Sequence, residues 1–195
     1  MAFVNYSTRE INVKIVYCGP GLSGKTTNLQ LLHDRAPAKA KGRLISLATE
    51  TERTLFFDFL PMNVGTLGGF QVRLHLYTVP GQIFYEASRR LILKGADGVA
   101  FVADSDPLRL DANAESIRDL ERHLREHRLS LASLPAVIQY NKRDLPDAVA
   151  VEEIRRALLN GNASLPEFEA VAARGKGVFE TLKELARRCL VELKK

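Results

Sequence analysis

A stretch near the start of the chain has the residue types and spacing that bind phosphate. Residues 19–26, GPGLSGKT, match the pattern G-x-x-x-x-G-K-[ST] and lie between a strand-like run and a helical pattern. Glycine lets backbone N–H groups turn toward a phosphate, and the helix adds the partial positive charge of its amino terminus. We expect Lys25 to reach the β- and γ-phosphates and the Thr26 hydroxyl to bind Mg²⁺. The predicted nucleotide contacts are Gly19, Gly21, Leu22, Ser23, Gly24, Lys25, Thr26 and Thr27.

A second motif carries base specificity. Asn141-Lys142-Arg143-Asp144 follows another strand-like run and is similar to the N-K-x-D motif of guanine-specific GTPases. The carboxylate of Asp144 can accept two N–H donors from guanine, N1–H and the 2-amino group. Adenine offers no such pair, so its binding would leave the carboxylate without partners at a cost in free energy. In this pattern Lys142 lies along the base and Asn141 holds the loop, which predicts guanine rather than adenine.

A third segment, residues 78–82 (TVPGQ), resembles the D-x-x-G-Q motif of Ras-like proteins. On that resemblance, Gly81 donates its backbone N–H to the γ-phosphate and Gln82 orients the attacking water. Thr78 departs from the pattern, because the usual aspartate helps to hold Mg²⁺ through water and threonine lacks its charge. Each motif also has a plain structural alternative: a glycine-rich turn, a charged turn, or a Pro-Gly turn that ends a strand.

Essentially the whole chain closely resembles the bacterial MglA family, Ras-like GTPases that set cell polarity and drive gliding or twitching motility. Residues 5–14, 50–61 (ETERTLFFDFLP), 76–82 (LYTVPGQ) and 177–182 carry this resemblance. It implies that Thr54 binds Mg²⁺ through its hydroxyl and meets the γ-phosphate through its backbone, and that Thr78 is normal for the family. It also implies that Arg53 is an arginine finger supplied in cis. The residues alone leave Arg53 open, since a solvated loop arginine is equally compatible with the sequence.

The same resemblance implies partners and a place in the cell. It implies a roadblock-domain activating protein of the MglB type, which repositions Arg53 and Gln82 and inserts no arginine of its own. Downstream polarity and motility effectors and concentration at a cell pole follow from it too. A cytoplasmic location is expected because the sequence shows neither a secretory signal nor a membrane span. Residues 49–69 and 78–93 are expected to differ between the GTP and GDP forms.

The last candidate contact to the base is residues 169–173, EAVAA. This segment takes the place of the E-x-S-A-K segment of Ras-like proteins, with Val171 and Ala173 in place of serine and lysine. The side-chain contacts of that motif are therefore not carried over. We expect Val171 and Ala172 to contact the nucleotide through the main chain.

These motifs need a scaffold of alternating strands and helices. Apolar runs predict strands over residues 12–18, 70–77, 98–103 and 136–140, with shorter ones at 43–48 and 168–171. Apolar residues at helical spacing predict a helix after Asp106-Pro107 and a last helix from Val178 to Leu193. The prediction is an α/β fold of the P-loop NTPase class: one Ras-like G domain, residues 1–195, with a mostly parallel central sheet flanked by helices. Residues 49–69 and 78–90 interrupt the pattern, the second of them turning helical after TVPGQ, and functional loops are expected there.

Composition and charge exclude other classes. The formal net charge is +5, but the basic residues are scattered, which argues against nucleic-acid binding. Cys18 and Cys189 lie in apolar runs and are predicted to be reduced and packed.

No apolar run reaches the length of a membrane span, and neither a myristoylation glycine nor a C-a-a-X box is present. We therefore expect no lipid anchor and at most peripheral membrane contact. His123 and His127 stand among arginines and are interpreted as part of a solvated basic face.

Two other functions compete with a GTPase switch. An ATP-using enzyme such as a small kinase would bind ATP more tightly than GTP and carry an arginine-rich lid, and residues 141–144 argue against it. A nucleotide-locked scaffold would bind partners without turnover, and Gln82 together with Arg53 argues against that. We therefore expect GTP or GDP and Mg²⁺ as ligands. Hydrolysis is expected to be slow, with Lys25, Arg53 and Gln82 as the catalytic residues.

Overall fold

Strands and helices alternate along the chain. The computed structural model describes residues 3–48, 54–80, 86–159 and 165–193, and for residues 47, 48 and 54–56 it describes the backbone alone. The strands within that part are β1 Phe3–Asn5, β2 Glu10–Cys18, β3 Ile45–Ala48, β4 Thr54–Leu67, β5 Phe70–Thr78, β6 Gly98–Asp104, β7 Ala136–Asn141 and β8 Glu167–Glu169. The helices are α1 Lys25–Arg35, α2 Glu86–Leu93, α3 Leu110–Glu126, α4 Val151–Leu159 and α5 Val178–Glu192. Within the same described residues, 3₁₀ turns cover Ala38–Ala40, Pro107–Arg109 and Ala172–Arg174.

The strands form one sheet in the order β3-β4-β5-β2-β6-β7-β8, with β1 beside β2. The run β5-β2-β6-β7-β8 is parallel throughout, whereas β1, β3 and β4 make antiparallel pairs. Every residue of β6 and β7 is buried, as expected for central strands covered on both faces. The predicted α/β fold with a mostly parallel central sheet flanked by helices is confirmed.

Two apolar clusters cover the two faces of the sheet. Alternate residues of β2 belong to different clusters: Ile15 and Tyr17 pack with α1 and α5, and Val16 and Cys18 pack with α2, α3 and α4. Such alternation is the period of a strand with both faces buried. Cys18 and Cys189 are both buried thiols, as predicted, and burial raises the pKa of each to about 12.

The prediction for residues 49–69 was wrong in part. Residues 54–67 form β4, a strand of 14 residues, rather than an irregular loop. The alternation is present, since Asp58, Leu60 and Met62 are buried and their neighbours are less so. It was hidden because one buried position holds a carboxylate, and because glycines and a register irregularity between Asn63 and Thr66 break the apolar pattern.

Both helices predicted from the sequence are present in the structure. A 3₁₀ turn and then α3 follow Asp106, whose side chain accepts a hydrogen bond from the Leu108 N–H at 2.9 Å. The predicted last helix is α5, and its buried residues include Val178, Leu182, Leu185 and Cys189. Helical spacing was a reliable signal in both cases because one face of each helix packs on the sheet.

Candidate functional site

The candidate site lies at the carboxyl ends of the parallel strands. Residues 19–24 follow β2, residues 105–109 follow β6, residues 142–144 follow β7 and residues 170–172 follow β8. Parallel strands end at the same edge of a sheet, so loops far apart in sequence come side by side there. Asn141 and Arg109 each donate a hydrogen bond to a carbonyl of the loop 19–24.

The loop 19–24 turns tightly between β2 and α1. Gly19 and Gly24 have φ angles of 137° and 97°, a region that favours glycine. A Cβ atom on Gly19 would lie 2.2 Å from the Val102 carbonyl oxygen, and one on Gly24 would lie 2.2 Å from Asn141 Nδ2. Helix α1 begins at Lys25, so the loop opens on a helix amino terminus, where an anion is stabilised.

The ammonium group of Lys25 lies inside this loop. Nζ donates hydrogen bonds to the carbonyl oxygens of Gly19 at 3.0 Å and Pro20 at 2.6 Å. Burial lowers the pKa of Lys25 to about 8, although the nearby Cys18 and Asp58 raise it in part. A buried cation in this position favours an anionic ligand, because negative charge offsets the cost of its burial.

A buried carboxylate lies beside the first turn of α1. The Oδ2 atom of Asp58 accepts hydrogen bonds from the hydroxyls of Thr26 at 2.6 Å and Thr78 at 2.8 Å. Its Oδ1 atom accepts one from the Ser46 hydroxyl at 2.5 Å. A threonine at position 78 leaves the site one negative charge short of the Ras-like pattern. Strand β4 supplies that charge instead, since the pairing of Phe59 with Tyr77 sets Asp58 opposite Thr78.

This set of oxygen atoms fits Mg²⁺. The ion prefers oxygen ligands and usually combines a few side-chain oxygens with phosphate oxygens and water. Thr26 Oγ1 and Asp58 Oδ2 are 2.6 Å apart, which brings a neutral and a charged oxygen together next to Lys25. No group of three or more His, Cys, Asp or Glu side chains that suits a metal ion occurs among the described residues. The other predicted ligand, Thr54, begins β4, but its side chain lies outside the described part.

Asn141 ties three loops together. Its Nδ2 donates to the carbonyl oxygen of Ser23 at 2.7 Å, and its Oδ1 accepts from the backbone N–H of Ala172 at 2.9 Å. The side chain is buried, with Asn141 only 3% exposed. The structure therefore brings the predicted phosphate loop, the predicted base loop and the segment around Ala172 into contact through one amide.

The other two residues of the base motif differ in surroundings. Lys142 has a φ of 64°, and its Nζ donates to the Oδ2 of the fully buried Asp104 at 2.6 Å. The Asp144 side chain is 34% exposed, and its Oδ2 lies 3.5 Å from Arg174 Nη2. The carboxylate of Asp144 is thus partly accessible to a ligand, as recognition of a base requires.

Val171 and Ala172 are buried at 7% and 2% exposure. The Val171 N–H donates to the Lys176 carbonyl at 3.0 Å, and the Ala172 N–H donates to Asn141. Both N–H groups therefore have partners inside the chain. The main-chain contact expected of these two residues stays a prediction.

Asp104 and Arg109 belong to the site although sequence reasoning missed them. Asp104 is the last residue of β6 and anchors Lys142, and a carboxylate at the end of an apolar run is a signal that could have found it. Arg109 donates from Nη2 to the Gly21 carbonyl at 2.8 Å. Nothing in its sequence surroundings separates it from other arginines, because the contact spans 88 positions.

Other predictions fall elsewhere. Arg53, Gly81 and Gln82 lie outside the described residues. Thr27 lies half-buried in the first turn of α1. The solvated face predicted for the histidines was wrong for His123, which is fully buried with its Nε2 3.7 Å from Glu86 Oε1. His123 lies on the buried face of α3 with Ile117, Leu120 and Leu124, and the nearby Glu86 is the first residue of α2.

Known proteins are similar to this chain over most of its length. The model of the ADP-ribosylation factor family matches residues 2–189. The chain is 62% identical over 195 residues, all of its length and 99% of the relative's, to the mutual gliding-motility protein MglA of Myxococcus xanthus (strain DK1622). It is 29% identical to ADP-ribosylation factor-like protein 2 of Drosophila melanogaster, over 77% of this chain and 71% of that one. It is 27% identical to ADP-ribosylation factor-like protein 6 of Caenorhabditis elegans, over 90% of this chain and 85% of that protein.

The helices of the described part are of ordinary length and composition for a globular domain. Among the described residues, none is both long and apolar enough to cross a bilayer.

Proposed function

The chain belongs to the ADP-ribosylation factor family of Ras-like small GTPases, and on that premise we propose that it is a Mg²⁺-dependent switch that regulates cell polarity and gliding motility in a bacterium. The protein is a GTPase and binds GTP and GDP, as its family does. The relative with 62% identity over the whole chain carries gliding motility in its name, which supports the cellular part of the proposal. The remaining parts rest on the residues of the site.

The proposal that the chain binds guanine nucleotides rests mainly on one contact, the 2.7 Å hydrogen bond from Asn141 Nδ2 to the Ser23 carbonyl. It fixes the distance between the loop proposed to bind phosphates and the loop proposed to bind the base. Asp144 lies three residues after Asn141, with an accessible carboxylate that suits the N1–H and 2-amino groups of guanine. A ligand that fits both loops must hold a purine and a phosphate chain together, as GTP and GDP do.

The groups proposed for hydrolysis belong to the phosphate end of the site. The ammonium group of Lys25 lies at the carbonyl groups of the loop. The side-chain oxygens of Thr26 and Asp58 form the oxygen set proposed to bind Mg²⁺. When bound, Mg²⁺ would neutralise charge on the phosphate oxygens. Lys25 and Arg53 stabilise the charge that builds up as the terminal phosphoryl group transfers to water, and Gln82 orients that water. Intrinsic turnover is expected at about 10⁻⁴ to 10⁻² s⁻¹.

The activating partner is proposed to be a roadblock-domain protein of the MglB type. It would place Arg53 and Gln82 at the phosphates and supply no arginine of its own. Polarity and motility effectors would then bind the GTP form, and the protein would act in the cytoplasm and concentrate at a cell pole. The family and the 62% identity support this assignment.

Competition binding tests the ligand. Purified chain is titrated with GDP, GTP and ATP against a fluorescent guanine nucleotide, with and without Mg²⁺. We expect GDP and GTP to compete at least about a hundredfold better than ATP, and Mg²⁺ to tighten both. Stronger competition by ATP would mean an ATP-using enzyme instead.

Single-turnover hydrolysis tests the mechanism. GTP cleavage is followed with and without a roadblock-domain partner, in the wild type and in Arg53→Ala. We expect the partner to accelerate the wild type by about a thousandfold and to leave Arg53→Ala slow. Arg43→Ala, which changes an exposed arginine before β3, is the charge-matched control. Full stimulation of Arg53→Ala would disprove the finger in cis, and a GTP half-life of many days with the partner present would favour a scaffold without turnover.

A further inference from the structure

Two cationic side chains hold three consecutive carbonyl groups of the phosphate loop. Lys25 binds the carbonyl oxygens of Gly19 and Pro20, and Arg109 binds that of Gly21 at 2.8 Å. Lys25 belongs to the loop motif itself. Arg109 comes from the 3₁₀ turn after β6 and reaches the loop from outside.

The turn that carries Arg109 is well anchored. The Arg109 N–H donates to the Asp106 carbonyl at 2.9 Å, and the Asp106 N–H donates to Asp104 Oδ1 at 3.1 Å. The buried Asn113 holds the backbone of Asp104 from both sides, at 2.9 Å to its N–H and 2.8 Å to its carbonyl. Because the backbone of this turn is already ordered, a contact made from it costs only the conformational entropy of the side chain.

Asp104, which anchors the turn of Arg109, is also hydrogen-bonded to the predicted base loop. Asp104 Oδ2 accepts a hydrogen bond from Lys142 Nζ at 2.6 Å, so Asp104 lies between Lys142 and the turn of Arg109. A continuous chain of hydrogen bonds therefore leads from the predicted base loop, through Asp104 and Asp106, to the Gly21 carbonyl. It is separate from the direct bond of Asn141 to Ser23.

The outer part of the phosphate loop needs such support. Leu22 has a φ of 65° and a side chain that is 72% exposed, so it pays a conformational cost without packing in return. The internal bond from the Ser23 N–H to the Pro20 carbonyl is long, at 3.4 Å. The Ser23 hydroxyl is buried and has no hydrogen-bond partner among the described residues. Contacts from outside the loop are therefore important for its shape.

We propose that Arg109 is a positioning residue that clamps the Gly21 end of the phosphate loop and so slows the release of guanine nucleotides that carry a β-phosphate. The proposal rests on the guanine-nucleotide function proposed above. The guanidinium suits this role because it keeps its charge and offers several donors in a fixed plane. Arg109 and Lys25 are close enough to interact electrostatically, since Arg109 is among the charges that lower the pKa of Lys25, after burial as the main cause.

The test compares nucleotides that differ in the β-phosphate. Release of ribose-labelled fluorescent GDP is timed in the wild type, Arg109→Ala, Arg109→Gln and Arg109→Lys, and GMP affinity is measured by competition. We expect Arg109→Ala to release GDP about tenfold faster or more, with GMP affinity changed less than about twofold, because GMP lacks the phosphate that the loop cradles. Arg109→Lys keeps the charge and a donor and is expected to release GDP more slowly than Arg109→Gln. Arg118→Ala, an exposed arginine on α3, is the charge-matched control and should behave as the wild type.

The outcomes separate the possibilities. GDP release from Arg109→Ala at the rate of the Arg118→Ala control would overturn the proposal. So would an equal loss of GDP and GMP affinity, which would indicate general support of the fold rather than a clamp on the loop. Should Arg109→Ala fail to fold, the order of Arg109→Lys and Arg109→Gln decides the question. A wild type that binds no guanine nucleotide would contradict the proposed function instead.

Discussion

Asp58 and Thr78 are joined by two hydrogen bonds across the neighbouring strands β4 and β5. The Thr78 hydroxyl donates to Asp58 Oδ2 at 2.8 Å and accepts from the Asp58 N–H, also at 2.8 Å. The same carboxylate oxygen accepts from the Thr26 hydroxyl at 2.6 Å. The threonine that departs from the Ras-like pattern therefore holds the residue that restores the missing charge.

Asp58→Asn is expected to weaken the hold on Mg²⁺. The amide keeps the volume but loses the negative charge beside Thr26, and it cannot accept at both ends as the carboxylate does. The Mg²⁺ concentration that gives half-maximal GDP retention should rise by about tenfold or more, measured by titrating Mg²⁺ during GDP release. Asp111→Asn, an exposed carboxylate on α3, is the control. An unchanged midpoint in Asp58→Asn would show that this carboxylate has no role in holding the ion.

Lys25 makes the stability of the nucleotide-free protein depend on pH. Its pKa falls from 10.5 to about 8 on folding, mainly because of burial. Between these values the Lys25 side chain binds more protons in the unfolded chain than in the folded one, so its contribution to the free energy of unfolding rises with pH. From pH 7.5 to 9.5 the gain should be about 2 kcal/mol.

Urea unfolding of the wild type and Lys25→Met at both pH values measures this gain as a difference between the two proteins. The variant removes the titrating group and should lack this gain. The other groups contribute nearly equally in both proteins, because Cys18, the thiol close to Lys25, has a pKa of about 12 in the folded chain and stays protonated over this range. With GDP bound, the gain should shrink, because phosphate raises the pKa of the amine. The same pH dependence in both nucleotide-free proteins would contradict the assignment to Lys25.

Gly24→Ala is expected to break the contact between the two nucleotide loops. The new Cβ would lie 2.2 Å from Asn141 Nδ2, so the amide must move away from the Ser23 carbonyl. GDP affinity should fall by about a hundredfold and unfolding should become easier, as chemical denaturation and competition binding would show.

Gly65→Ala is the matched control for backbone strain. Gly65 has a similar φ, 107°, but a Cβ atom at this position would meet no atom of the described residues within 4 Å. The variant should lose about 1–3 kcal/mol of stability from the unfavourable φ while keeping its GDP affinity. Equal losses of affinity in the two variants would mean that strain, and not the clash with Asn141, is responsible.

Asp144→Asn is expected to change the preferred base. Xanthine carries a second carbonyl where guanine carries its 2-amino group, and an asparagine amide can donate to that oxygen. The variant should bind xanthosine diphosphate better than GDP, with GDP affinity reduced by about a hundredfold, in the same competition assay. Asp147→Asn, an exposed carboxylate in the next turn, should leave the preference unchanged. A variant that retains tight GDP binding would show that Asp144 does not contact the base.

Much of the fold could be predicted because its signals are local. The strands β2, β5, β6 and β7 are apolar runs, and α3 and α5 show helical spacing, since each must bury a face. Strand β4 escaped prediction because its buried face includes Asp58, which is favourable only when hydroxyl donors from Ser46, Thr26 and Thr78 surround it. A single-sequence pattern cannot contain that condition.

The sequence by itself determined the two segments proposed to bind the phosphates and the base, because in each the required residue types are consecutive and lie directly after a strand. Only the tertiary structure decided which other groups join them. The bond between Thr26 and Asp58 spans 32 positions, and that between Arg109 and Gly21 spans 88. Such contacts follow from strand order and register, which bring the carboxyl ends of β2, β6 and β7 together and place Asp58 opposite Thr78. Register is set by packing over the whole sheet, so no local stretch of sequence specifies it.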